Sequence, residues 1–157
     1  MPVQHQEAPV RVDERQAQLD AIEVRATLLE MTKCLREQDL PGLMGYYVNS
    51  PETTVIGSYG KCIRGYDALR QIFAEEFSKQ APTDMTTINS TQVISYGTVA
   101  LVSANTTRFV KKEDGRTDIQ SARFSGVMEK HDGHWKVLQS HFSIPLKFEE
   151  TGQAKAT

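Results

Sequence analysis

The chain has little that covalent or metal chemistry could use. Its 157 residues include two cysteines, Cys34 and Cys62. They have neither zinc-ligand spacing nor the count of a disulfide framework, so each reads as a small buried hydrophobe. His131 and His134 flank Asp132-Gly133. A His-x-x-His pair without further ligands does not make a metal site, and no metal or other cofactor is expected. Positive charge is also scarce, with 18 Lys and Arg against 20 Asp and Glu. Nothing is in excess to neutralise phosphates, which argues against a nucleic acid or an anionic membrane as partner. The one basic pair, Lys111-Lys112, runs straight into Glu113-Asp114. No apolar run approaches membrane-spanning length, and the first residues lack a signal-peptide pattern, so a cytoplasmic location is expected. Gly-rich phosphate loops and nucleophile elbows are missing too.

What is present is an ordinary globular composition, 39% hydrophobic and 24% charged, of a length suited to one domain. Residues 1–12 and 149–157 are polar and aperiodic and read as disordered tails, leaving a domain over 13–148. Asp13 and Gln16 form a capping-box-like pair. The helix they open carries two apolar stripes, Leu19/Ile22/Ala26/Leu29 and Val24/Leu28/Met31/Leu35, which predict burial on more than one side. Pro41 suits the first turn of a short second helix. Two short strands, Thr53 to Ile56 and Lys61 to Arg64, follow around a turn at Ser58-Tyr59-Gly60. Gly65 opens a third helix with Leu69, Ile72, Phe73 and Phe77 at helical spacing. The period then changes to two. Four long strands are expected over Met85–Ser95, Thr98–Val110, Ile119–Lys130 and His134–Pro145, the last pair joined at Asp132-Gly133, a strong hairpin signal. Helices followed by an antiparallel meander make an α+β domain.

Three segments carry a resemblance. L-R-E-Q-D-L-P-G-L-M-G-Y-Y, V-I-G-S-Y-G-K-C-I-R-G-Y-D-A-L-R-Q-I-F and H-D-G-H-W-K-V-L-Q-S-H-F-S appear in this order. Together they resemble the nuclear-transport-factor-2-like superfamily, and within it the SnoaL-like proteins and the association domain of calcium/calmodulin-dependent kinase II. The resemblance implies a cone: three N-terminal helices packed in a strongly bent antiparallel sheet, with a pocket at the wide end and a homodimer across the outer sheet face. It also tests specific chemistries. The acid, the tyrosine and the second acid of the ketosteroid isomerases would match Gly57, Met31 and the Ser125-Gly126 strand, so a steroid isomerase of that design is excluded. The pocket arginines of the kinase association domain would match Gly126 and Phe142. If those two face inward, alternation sends Ala122, Phe124, Met128, Leu138, Ser140 and Ile144 inward with them.

The candidate ligand-binding residues are therefore Phe124, Met128, Leu138 and Phe142 on the last strands, with Tyr46 and Tyr47 near the mouth and Phe73 and Phe77 on the third helix. Asn105 and Thr107 alternate on their strand and suit either the cone or a partner. Arg123, Ser125, Val127, Glu129, Trp135, Val137, Gln139, His141 and Ser143 take the opposite parity and form the candidate dimer interface. His141 has the chemistry of a general acid or base, but its parity sets it on that interface. The expected function is a homodimeric binder of an apolar or aromatic small molecule. The alternatives are a cyclase, dehydratase or isomerase working by acid–base catalysis, and a pure oligomerisation module.

Overall fold

The computed structural model describes residues 7–57, 60–79, 86–148 and 154–156. Helix α1 spans Glu14–Glu37, and the Asp13 side chain accepts the Gln16 N–H at 2.9 Å, satisfying a donor that no helical carbonyl reaches. Asp20, Val24, Leu28, Met31 and Cys34 are its buried residues, spaced by three or four along one face. The other stripe is not buried, contrary to the pattern: Leu19 is 47%, Ile22 66% and Leu29 46% exposed. The helix packs on β3, β6 and α2, and these cover only one side of it.

Helix α2, Leu40–Met44, is capped by Asp39, which accepts the Gly42 N–H at 3.0 Å. The chain then runs beside the last long strand: the Val48 N–H donates to Val137 O at 2.9 Å and the Val137 N–H to Tyr46 O at 2.8 Å. Strands β1 (Thr54–Ile56) and β2 (Cys62–Arg64) form a small hairpin, followed by α3, Tyr66–Lys79. The expected turn residues Ser58 and Tyr59 and the strand-opening Met85 lie outside the described residues, as do residues 1–6, 149–153 and 157 of the expected tails.

Strands β3 (Thr86–Ser95), β4 (Val99–Lys111), β5 (Thr117–His131) and β6 (His134–Ser143) are the expected meander. The sheet order is β2-β1-β6-β5-β4-β3. Its β1–β6 pairing is parallel, so the sheet is mixed where a wholly antiparallel one was predicted. It is curved and open, with the helices on one face. Two further strands, β7 (Leu146–Phe148) and β8 (Ala154–Ala156), pair with each other, the first at the end of the expected domain and the second within the segment expected as a tail.

One irregularity controls which residues face the helices. Val127 lies opposite Gln139, but Met128 lies opposite Val137, so Leu138 has no opposing residue. This bulge reverses the alternation along β6. Trp135 and Val137 therefore share the inner face with Met128, at 2%, 0% and 0% exposure. They were assigned by alternation to the outer face, and the extra residue is why they are core instead. Beyond the bulge, Ser140 is buried and His141 exposed. Gly126 lies where the strands crowd together, since a Cβ there would meet the Gln139 carbonyl at 2.7 Å.

Candidate ligand-binding site

The inner sheet face is a set of rows read across the strands. One row is Ser95, Ala100, Met128 and Val137; the next is Val93, Val102, Gly126 and Ser140; the third is Thr91, Ala104, Phe124 and Phe142. The middle positions, Ala100, Val102, Ala104 and Gly126, are small. Tyr47 and the aromatic residues of α3 pack on the core behind these rows. The Tyr47 and Phe73 rings lie 5.9 Å apart and the Phe73 and Phe77 rings 6.1 Å apart, within the range of favourable aromatic pairs. Phe73, Phe77 and Phe124 pack, half-buried, against the core that contains Tyr47 and Met128.

Two polar groups stand out in this apolar setting. Burial alone pushes the Tyr47 phenol far above its ordinary value, with no charge or hydrogen bond contributing; desolvation penalises the phenolate. The Thr91 hydroxyl is buried and has no hydrogen-bond partner among the described residues. Buried polar atoms are normally paired, so this orphan hydroxyl leaves a donor and an acceptor open to a water or ligand atom.

The remaining candidates disperse. Tyr46 points away from Tyr47, into a cleft between α1, α2 and the start of β6 that also holds Cys34, Asp39 and His134. Burial, then Glu30, Cys34 and Asp39, raises its phenol, and burial raises the Cys34 thiol above the reactive range. Asn105 is exposed on the outer face, where its side-chain amide donates to Ser90 Oγ at 3.2 Å. Thr107 takes a 2.6 Å hydrogen bond from Asn89. The residue between them, Thr106, is buried, so Asn105 takes the outer parity of the strand. Leu138 occupies the unpaired bulge position. Phe142 sits opposite Phe124, half-buried.

A concavity of about 470 Å³ is lined by Ser90, Asn105, Arg123, Ser125, His141 and Ser143 together with Thr91, Ala104 and Phe124 of the third row. Glu129 meets His131 Nε2 at 2.9 Å near the hairpin tip. Among the described residues no group of three or more His, Cys, Asp or Glu gathers as a metal site, and no helix is long and apolar enough to cross a membrane.

The sequence reading missed Asp20, which is 0% exposed. Gln16 Nε2 donates to its Oδ1 at 2.9 Å, Ser95 Oγ to its Oδ2 at 2.5 Å, and Lys130 Nζ lies 3.6 Å away. Glu23 joins the cluster by accepting from both Lys130 Nζ and Trp135 Nε1 at 3.0 Å. Every partner is engaged, so the cluster fastens α1 to the turns at one end of the sheet. Its signal was available: Asp20 lies one turn before Val24 on the stripe that proves to be buried.

The model of the SnoaL-like domain family matches residues 24–147. No curated protein shows significant similarity to the chain. Among solved structures, a nuclear-transport-factor-2-like protein of unknown function from Pseudomonas putida KT2440 is 18% identical, with a TM-score of 0.72 over 88% of this chain and 95% of that one. A protein of the same fold family from Streptomyces avermitilis, provisionally described as a dehydratase, is 14% identical with a TM-score of 0.72 over 83% and 99%. One from Novosphingobium aromaticivorans, provisionally described as an aromatic ring hydroxylase, is 13% identical with a TM-score of 0.71 over 89% and 94%. At such identities the structures speak for the fold alone, while the family match covers most of the sequence: the chain belongs to the SnoaL-like family and has the nuclear-transport-factor-2-like fold.

Proposed function

We propose that this protein binds an apolar or aromatic small molecule between the curved sheet and α3, as a cytoplasmic homodimer. The observation that carries the reading is Tyr47: a buried, neutral phenol at the head of the Tyr47–Phe73–Phe77 run. Apolar walls with few polar groups are the usual composition of a small-molecule pocket. Phe124 and Phe142 extend the wall, and Tyr47 and Thr91 supply the orienting hydrogen bonds. The dimer face comprises Arg123, Ser125, Val127, Glu129, Gln139, His141 and Ser143. The free thiols of Cys34 and Cys62 suit a reducing compartment.

An acid–base enzyme is the second reading, since Tyr47 keeps its proton and is a potential donor. No carboxylate or imidazole acts on it among the groups shifting its ionisation, and a donor without a matching base favours binding over catalysis. The test is a fluorescence titration with 2-naphthol, which offers an aromatic body and one hydroxyl. Saturable binding that weakens about tenfold in Tyr47→Phe, the scale of one hydrogen bond, and more in Phe73→Ala supports the reading. Binding indifferent to both substitutions, or none at all, refutes it.

A further inference from the structure

The cleft that Tyr46 enters has a volume of about 520 Å³ and is walled by the last turns of α1, by α2 with the residues after it, and by the start of β6. None of the residues given above to the Tyr47 pocket or to the dimer face lines it. Its inner wall is uncharged. Trp135 is 2% and Cys34 8% exposed, Tyr46 is half-buried, and Gly42 and Gly45 present backbone alone. A Cβ on Gly42 would lie 3.1 Å from the Cys34 sulfur and closer still to the Asp39 carboxylate, so α2 sits directly on this wall. The Cys34 thiol has no hydrogen-bond partner among the described residues.

The rim carries an excess of acid. Glu30 and Glu37 come from the face of α1 that also holds Cys34, and Asp39 from the cap of α2. Asp39 accepts the Gly42 N–H at 3.0 Å and keeps acceptor capacity to spare. Lys33 and Lys136 also line the cleft, but neither they nor the three acids form an ion pair among the described residues. Two neutral groups on the wall register the imbalance. After burial, Glu30, Cys34 and Asp39 raise the Tyr46 phenol, with no cation opposing them. After burial at Cys34, Asp39, Glu30 and Glu37 all raise the thiol and Lys33 alone opposes. Both positions therefore lie in a negative potential that a bound cation would relieve. The carboxylates do not gather as a metal site among the described residues, so the cation that suits them is larger than a bare metal ion. An ammonium group offers three donors and is attracted to an aromatic face. The Trp135 ring already has Lys130 over it at 5.3 Å, which leaves that role to Tyr46.

We propose that this cleft is a second ligand site, which takes an organic ammonium ion with an apolar body, the ammonium at Tyr46 between Glu30 and Asp39 and the body against Cys34, Gly42 and Gly45. The site is complete within one chain and independent of the Tyr47 pocket.

Amide chemical-shift titration with 2-phenylethylammonium tests this, with 2-phenylethanol and 3-phenylpropionate as the neutral and anionic controls. Saturable shifts are expected at Cys34, Gly42, Gly45 and Tyr46, with affinity about tenfold above that for the alcohol and no saturable response to the anion. Glu30→Gln should weaken ammonium binding about threefold, the scale of a solvent-exposed charge pair. Adding Asp39→Asn, which keeps a helix-capping side chain, should bring the loss to about tenfold. Lys33→Gln should act in the opposite direction and tighten binding. 2-Naphthol affinity should be unchanged in all of these variants, so failure here is distinguishable from failure of the Tyr47 pocket. Equal affinity for ammonium and alcohol, tighter binding of the anion, an unaffected double variant, shifts confined to the Tyr47 side, or no saturable shift each overturn the proposal.

Discussion

The indole N–H of Trp135 donates to the Glu23 carboxylate at 3.0 Å, tying the closing hairpin to the first helix through a side chain that is 2% exposed. Lys130 completes the unit, 3.0 Å from the same carboxylate oxygen and 5.3 Å from the indole centroid. The ion pair is partly solvated and contributes modestly; the hydrogen bond to a buried donor weighs more. Glu23→Leu should therefore destabilise the protein by about 1–3 kcal/mol, the cost of an unsatisfied buried polar group. Glu23→Gln keeps an acceptor and should cost less than half as much. Urea unfolding of the three proteins decides it, and equal losses for Leu and Gln would assign the effect to charge.

Gly126 should tolerate no side chain. An added Cβ would press on the Gln139 carbonyl at 2.7 Å, and on the Phe124 ring at 3.2 Å. The carbonyl belongs to the strand that carries the bulge, so it cannot move without disturbing the pairing. Gly126→Ala is expected to cost about 1–3 kcal/mol, as overpacking does, and to speed amide exchange at Gln139 and Ser140. Unchanged stability and exchange would show that the two strands are less closely held than the distance implies.

That same bulge marks the limit of what the sequence discloses. Asp132-Gly133 announces the hairpin, and it forms with His131 opposite His134. The long strands and helices follow from period and turn chemistry. Alternation along one strand, however, predicts facing only while both strands advance residue for residue. Leu138 breaks that count with no mark in composition, so Trp135 reads as an outer residue and is core. A different cause leaves Asn105 open in the sequence: two polar residues flank Thr106, and a polar residue on each parity leaves the face undecided. Tyr46 and Tyr47 are adjacent and chemically alike, and only the pairing of residues 46–48 with β6 separates them.

Alkaline stability should report Tyr47. Burial raises its folded-state ionisation, while the unfolded phenol loses its proton near about pH 10. The folded state thus retains the proton longer, so this contribution is complete below about pH 10 and is lost as pH rises toward the folded value. Lys130, raised chiefly by its hydrogen bond to Glu23, acts with the same sign in the same range. Above about pH 10 the unfolding free energy should fall by up to about 1.4 kcal/mol per pH unit from Tyr47, with a smaller, solvent-screened contribution from Lys130. Tyr47→Phe removes one of the two and should flatten the curve. Urea unfolding from pH 9 to 11 measures this, and superimposable slopes would mean that the phenol is hydrated in solution.

Thr91 should show a conflict between stability and binding. Its hydroxyl is buried on the inner face without a partner among the described residues, in the row that continues through Ala104 to Phe124. Valine has the same shape and no polar atom to desolvate. Thr91→Val should raise stability by about 1 kcal/mol, recovering part of the penalty for an unpaired buried hydroxyl. If that hydroxyl exists to meet a ligand, the same variant should bind 2-naphthol or the true ligand more weakly, the pattern of a site kept at some expense to the fold. Thermal denaturation and the fluorescence titration together separate the cases. A gain in stability with unaltered affinity would leave Tyr47 as the pocket's polar anchor, and a loss of stability would show that water already satisfies Thr91 in the free protein.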